Sequence, residues 1–217
     1  MIDWTLIWDS LPALIDGALI SLQIAGVAAF IGVCWGTILS LGETSDIKII
    51  KFCVTVYITL FRGTPMLVQI LFVFYVLPQF GVLVHPFWAA TLAIGLNSGA
   101  YVSQVIRSGI NGVSGGQIEA AYTLGLSKIV VMLHIVLPQA FRKAMPSLGN
   151  EMITLVKDSS LASVIGVMEL TKQGSIIRSR TYDAFSILLA VSIFYLLITG
   201  VISLCIKKLE EKINKNA

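Results

Sequence analysis

The residues most able to do chemistry lie where charge is expensive. Between Ala144 and Met168 an apolar run carries Glu151, Lys157 and Asp158, and an ionised side chain in such surroundings needs a partner or a task. On a helix, Ser147, Glu151, Thr154 and Asp158 recur at i, i+4, i+7 and i+11 and form one polar stripe, with Lys157 at its edge. Asn97, Tyr101, Gln104 and Ser108 follow the same rule in another apolar run. Two facing stripes could line a path. The chemistry they offer is binding. Glu151 accepts from an ammonium or guanidinium group, Asn97, Tyr101 and Gln104 supply hydrogen bonds, and Arg62 or Lys157 meets a carboxylate. The alternative, in which Lys157 and Asp158 pair with each other or with backbone, stays open.

Covalent chemistry finds less support. Gly112-Val113-Ser114-Gly115-Gly116 fits the nucleophile-elbow pattern, but the strand-to-helix turn that pattern needs is not expected here. His85 and His134 are isolated, and Cys34, Cys53 and Cys205 stand at unrelated spacings. The cysteines read as small buried hydrophobes, with no disulfide frame or metal site. Thr64-Pro65 reads as the N-cap and first position of a helix, whose freed N–H groups point toward Arg62 and Gly63. At mid-depth in a membrane that break would favour a carboxylate. At the membrane surface it would be only a helix start, with Arg62 on lipid phosphate. The sequence leaves its depth open.

The elements that must position these residues are set by composition. Of 217 residues, 56% are hydrophobic and only 12% charged, with a mean hydropathy of +0.88. A soluble domain is about 25% charged, so too little polar surface is available to face water. A spanning helix takes about 20 apolar residues. Leu14–Leu41, Met66–Val84, Phe87–Ile106 and Phe185–Ile206 meet that length, and Ala144–Met168 does so with its charges. The runs are continuous rather than alternating, which excludes a β-barrel. An all-α membrane protein of five spans in a single domain, residues 1–217, is expected, with no internal repeat. Gly32-x-x-x-Gly36 and Gly95-x-x-x-Gly99 are small-residue pairs that let helices pack closely, in the chain or at a dimer seam.

Lys and Arg accumulate on the cytoplasmic side. Five spans put Lys48, Lys51, Arg107, Lys128, Arg142, Lys143, Lys207, Lys208, Lys212 and Lys215 on one side and only Lys172, Arg178 and Arg180 on the other. The N-terminus is therefore expected outside and the C-terminus in the cytosol, with Trp4, Trp8 and Trp88 near the outer interface. The N-terminal arm has no basic residue before its first apolar run and lacks the pattern of a signal peptide. The net charge of +3 is topological and no nucleic-acid footprint. Lys172–Arg180 runs against the rule and would suit an outer loop that meets another protein.

Arg107–Lys143 is then a cytosolic loop. Gly109, Gly112, Gly115 and Gly116 open it, and a short helix over Gln117–Gly125 stops at Gly125. A second runs from Ser127, its N-cap, to Val136 and ends at Pro138. Glu119-Ala120-Ala121, Gly125 four residues later, and Ile135, Leu137 and Pro138 resemble the EAA loop of ABC-importer permeases. Phe61-Arg62-Gly63-Thr64-Pro65 with Gln69, and the stretch Lys157–Val167, resemble the polar amino-acid permeases within that family. The likeness runs from about Ser10 to the end.

The resemblance implies the type I ABC-importer permease fold and a multi-pass protein of the cytoplasmic (inner) membrane. It implies a dimer with an identical or sister permease, a pair of ATPase subunits, an extracytoplasmic amino-acid-binding protein and surrounding lipid. Glu119, Ala120, Ala121, Gly125, Leu137 and Pro138 would form the coupling surface. Glu119 could cap its helix or pair with a partner arginine, and the alanines would allow close packing against the partner. Substrate contacts would come from Glu151, Asn97, Tyr101, Gln104, Arg62, Thr64, Gln69, Lys157 and Asp158. No Gly-x-x-x-x-Gly-Lys-Ser/Thr loop is present, so ATP and magnesium belong to the partner, this chain has no cofactor, and it is a transport subunit rather than an enzyme. An ion-coupled secondary amino-acid transporter or channel would explain the intramembrane charges but not the loop.

Overall fold

The computed structural model describes residues 2–215; Met1, Asn216 and Ala217, at the ends of the expected 1–217 domain, lie outside the described residues. All regular structure among the described residues is helical. Helix α1 (Trp4–Glu43) starts at Asp3, whose carboxylate accepts from Leu6 N at 2.9 Å. Its 40 residues extend about 60 Å, twice the hydrocarbon thickness of a bilayer. Helix α4 (Pro86–Asn111) and helix α9 (Ala184–Lys215) contain the runs expected at Phe87–Ile106 and Phe185–Ile206.

Two expected spans are redrawn. Met66–Val84 is not one helix: α3 (Met66–Tyr75) has ten residues and gives way to a 3-10 turn, Leu77–Phe80, ending at Gly81 with φ +81°. At about 15 Å it is too short to cross alone. It pairs with α2 (Lys48–Gly63) across a 103° bend. Likewise α7 (Leu137–Asp158) begins before Ala144 and stops at Asp158, where a 3-10 turn, Ser159–Ile165, leads to Gly166 at φ +85°. By length and apolarity α1 and α9 each suffice to span, and the bent α2–α3 pair makes a third.

The centre of the molecule is the α1–α4 seam, and both small-residue pairs are spent there. A Cβ on Gly32 would stand 2.7 Å from Ser98 Oγ, one on Gly36 2.8 Å from Gly99 O, and one on Gly95 2.9 Å from the Ile31 side chain. The two pairs therefore face each other within one chain. Ile24, Ala28, Ala93 and Ile94 fill the seam, and Ile70, Leu155 and Val156 close over it from α3 and α7. Helix α8 (Leu170–Thr181) is capped by Glu169, fully buried, which accepts from Lys172 N at 2.7 Å, Thr171 N at 2.9 Å and Tyr195 Oη at 3.0 Å. Those bonds, with Ser21 Oγ at 3.3 Å, tie α8 to α1 and α9 and satisfy a carboxylate that would otherwise be costly to bury. Contrary to expectation, all three cysteines are exposed on the chain's surface. In a membrane protein an apolar residue gains by facing lipid as well as by facing the core.

Candidate functional site

The α2–α3 break is built by local sterics and closed by side chains from afar. Thr64 precedes a proline and is held extended, φ −118° and ψ 143°, which ends α2. Thr64 does not cap α3 as expected: its hydroxyl donates back to Leu60 O at 2.8 Å, and Pro65 takes the cap position without a side-chain bond. Gln69 Nε2 donates to Phe61 O at 2.9 Å, Thr64 O at 3.2 Å and Thr64 Oγ1 at 2.7 Å. Asn97 Nδ2, from α4, donates to Phe61 O at 3.0 Å and Gln69 Oε1 at 2.9 Å. Backbone carbonyls freed at a helix break need donors; here two amides supply them and latch the bend.

Beside the break lies a polar cavity of about 610 Å³. Arg62, Thr64, Asn97, Tyr101, Glu151, Thr154 and Asp158 line it, with Gly63, Pro65 and Met66. Asn97 and Tyr101 of one stripe thus line it together with Glu151, Thr154 and Asp158 of the other, while Ser147, Gln104 and Ser108 do not. Glu151 Oε1 accepts from Ser98 Oγ at 2.8 Å, and the Arg62 guanidinium lies over the Tyr101 ring, 5.3 Å from its centroid, an attractive arrangement for a cation. Arg62, Glu151 and Asp158 have no ion-pair partner within 4 Å among the described residues.

Three expected residues lie elsewhere. Gln104 donates to Glu43 Oε2 at 2.7 Å, beside the Arg107–Glu43 bridge of 2.9 Å, and clamps the end of α1 to α4. Lys157 lines a separate cavity of about 440 Å³ with Ser160, Thr171, Ser192, Tyr195 and Thr199. Gln69 faces an apolar cavity of about 370 Å³ with Phe61, Val68, Phe72, Ala93 and Leu96. Ser98 was missed. Its one legible sign is a small hydroxyl between Gly95 and Gly99, which reads as seam packing.

The loop keeps its expected outline. Helix α5 (Gly115–Thr123) ends in a full Schellman turn: Leu126 N donates to Ala121 O at 3.2 Å, Gly125 N donates to Tyr122 O at 2.9 Å, and Gly125 holds φ +78°. Ser127 caps α6 (Lys128–Val131) as expected, accepting from Val130 N at 3.4 Å. The second helix does not end at Pro138. A π-turn, Met132–Val136, absorbs the proline's missing N–H, and the chain runs straight into α7. Ala121 points inward against Val131 and Val136, with Leu137 also buried, while Glu119 and Ala120 are exposed. Ala121 is thus a packing residue of the loop itself, and Glu119 makes no cap bond.

Lys128 pairs with Asp46 of the α1–α2 turn, and Lys143 Nζ donates to Gly112 O. The Lys128 hydrogen bond and charge hold Asp46 below its ordinary 3.8, and Asp46 raises Lys128 above 10.5. A depressed acid contributes above its unfolded pKa and loses that contribution as pH falls through the folded value. A raised base contributes below 10.5 and loses it as pH rises through the folded value. The link is therefore expected intact between about pH 4 and 10. Lys128→Gln should speed amide exchange in residues 127–131 at neutral pH and low salt. That difference should vanish in molar salt or below the Asp46 pKa. Identical exchange at low salt would refute the link.

Comparison with known proteins settles the family. Residues 28–215 match the binding-protein-dependent transport system inner membrane component. The chain belongs to that family. As a member, it resembles the glutamine transport system permease protein GlnP of Escherichia coli K12, 39% identical over 212 residues and 97% of each chain. It is 35% identical to the arginine transport system permease protein ArtQ of Bacillus subtilis over 216 residues, 99% of each. A solved amino acid ABC transporter with histidines is 37% identical, with a TM-score of 0.90 over 98% of this chain and 99% of that one. An inward-facing MetNI methionine ABC transporter shares the fold at 17% identity and a TM-score of 0.79, covering 98% and 99%. The membrane component of such a transporter carries the path, and α1, α9 and the bent α2–α3 pair are apolar and long enough for that place.

Proposed function

We infer that this chain is the permease subunit of an ATP-binding-cassette importer that moves a polar or basic amino acid across the cytoplasmic membrane by alternating access. The observation that carries the substrate class is the polar cavity at the α2–α3 break: a guanidinium and two carboxylates line one space, which suits a zwitterion stripped of water. Arg62 meets the α-carboxylate, Glu151 and Asp158 take cationic groups, and Tyr101, Asn97 and Thr64 complete the wall. Gln69 acts behind them by holding the break.

Five crossings are assigned to α1, the α2–α3 pair, α4, α7 and α9, with the N-terminus outside. Ten basic residues against three support that orientation, and the same count puts the loop in the cytosol. There Glu119, Ala120 and Gly125 face a pair of ATPase subunits, which bind ATP and magnesium. Leu137 and Pro138 join the loop to α7. Because the π-turn makes the loop continuous with α7, a push on the loop moves the helix that holds Glu151. A second permease copy or sister completes the path, an extracytoplasmic binding protein delivers the solute, and lipid covers the outer helix faces.

The test is reconstitution with the cognate ATPase and binding protein, in which an amino acid should stimulate ATP turnover and uptake. Purified chain alone moving amino acids down an ion gradient would overturn this reading in favour of a secondary transporter. Gly125→Val should reduce substrate-stimulated ATP turnover at least about tenfold. A β-branched residue at φ +78° costs on the order of 1–3 kcal/mol and reshapes the turn between the helices. Unaltered coupling in that variant would argue against the docking role.

A further inference from the structure

Lys172, Arg178 and Arg180 stand together on α8, on the side where the positive-inside rule expects few cations. Two of them are gathered into one pocket. Lys172 and Arg178 line a space of about 170 Å³ with Ser163 of the 3-10 turn, Ser175 of α8, and Leu188 and Val191 of α9. Close approach of α8 to α9 forms its floor, since a Cβ on Gly174 would stand 2.5 Å from Val191 Cγ2. Thr171, Ser175 and Arg178 recur at i, i+4 and i+7 with Lys172 beside the first, so hydroxyls and cations share one helix face.

We propose that this pocket between α8 and α9 binds the phosphate of an anionic phospholipid, one whose headgroup carries no amine. The lipid belongs to the leaflet around the start of α9, the outer one in the orientation above. The proposal rests on α9 as a membrane crossing, and on neither the transported solute nor the ATPase.

The cations are unspent. No carboxylate lies within 4 Å of either among the described residues. The acids at the two ends of α8 are engaged elsewhere: Glu169 accepts from Thr171 N, Lys172 N, Ser21 and Tyr195, and Asp183 accepts from Ser186 N and Oγ. Lys157 lines the adjoining cavity, and with Asp158 next to it the two add no net charge. A phosphodiester supplies what is missing, one negative charge with oxygens that a guanidinium takes bidentately and an ammonium as a point charge. The Ser163 and Ser175 hydroxyls can donate to the same group. An amine on the headgroup would meet only like charge.

Depth and surroundings favour lipid over an acidic protein segment. Asp3 N donates to Ser186 Oγ at 2.9 Å, so Trp4, 67% exposed, marks the interfacial level at the first turn of α9. Leu188 and Val191 lie two and five residues further along, about 3 and 8 Å, which is the thickness of a headgroup layer. Phe185, Leu188, Ser192 and Leu196 then form an exposed stripe down α9 from the pocket, and only 17% of that helix's membrane-length apolar stretch is buried. Acyl chains cover such a stripe. A loop of a soluble partner seated in the pocket would leave it bare.

The test is native mass spectrometry of the purified permease–ATPase complex, titrated in detergent with phosphatidylglycerol or phosphatidylcholine of matched acyl chains. The wild-type complex should hold its first phosphatidylglycerol about tenfold more tightly than phosphatidylcholine, as two cations near one phosphate would give. Lys172→Gln combined with Arg178→Gln should bring the two lipids within about threefold of each other, whereas Arg180→Gln, outside the pocket, should keep the preference. Equal binding of both lipids in the wild type, a preference that survives the double variant, or an equal loss in Arg180→Gln overturns the proposal. Loss of binding-protein docking or of the permease pair in the double variant, with the lipid preference intact, assigns the face to a protein partner and overturns it as well. Should the double variant fail to assemble, Arg178→Gln alone and the wild-type ratio decide.

Discussion

Gly36→Leu is expected to abolish accumulation of folded permease, and Gly36→Ala to lower its thermal stability measurably. A Cβ at Gly36 would stand 2.8 Å from Gly99 O and 2.7 Å from Val102 Cγ1. The first is backbone and cannot rotate away, so α1 must separate from α4. Overpacking of this kind costs about 1–3 kcal/mol for small increments, and leucine adds three more carbons at the tightest point of the seam. The consequence reaches the site, because Asn97, Ser98 and Tyr101 leave α4 within two turns of Gly99. Gly26 and Gly200 provide the control, since a Cβ at either meets no atom within 4 Å and alanine there should be harmless. Folded yield in detergent and thermal unfolding read the result. A Gly36→Leu protein with wild-type yield and melting would show that the seam is not as drawn.

Glu151→Gln should cut uptake of a cationic amino acid by roughly ten- to a hundredfold at limiting substrate while the complex still assembles. Glutamine keeps the shape and can still accept from Ser98 Oγ, now 2.8 Å from the carboxylate, so packing is preserved. What disappears is the charge. A hydrogen bond to a charged group contributes about 1.5–3 kcal/mol, which is that span of affinity. Co-purification with the ATPase tests assembly, and uptake into proteoliposomes tests transport. Unchanged uptake would remove Glu151 from the site; lost assembly would make it a structural residue instead.

The loop between α4 and α7 was the most legible part of the chain. Gly125 announces a left-handed residue, Ser127 a cap, and both behave as such, because helix ends are decided by neighbours within four or five residues. Pro138 misled for the same reason. Local reading takes a proline as a stop, whereas a π-turn upstream lets the backbone pass through it, and only the packing of Val136 and Leu137 makes that turn worthwhile.

The α2–α3 break shows the other limit. Thr64-Pro65 marks a discontinuity in the sequence, but a 103° bend requires something to hold it. That something is Asn97, which lies 36 residues beyond the Phe61 carbonyl it serves. The same amide had every mark of a substrate ligand, since a polar side chain in an apolar run looks alike in either role.

By itself the sequence determined an all-helical membrane protein, the two short helices of the loop between α4 and α7, and the two polar stripes, each set by hydropathy and by spacings of three and four residues. Tertiary structure alone decided that Gly32 and Gly36 face Gly95 and Gly99 within one chain, that Gln104 belongs to a clamp with Glu43, and that Lys157 looks away from the cavity while Asp158 lines it. Adjacent residues on a helix point about 100° apart. Their spacing was visible in the sequence; which neighbour filled each direction became visible only once the helices were packed.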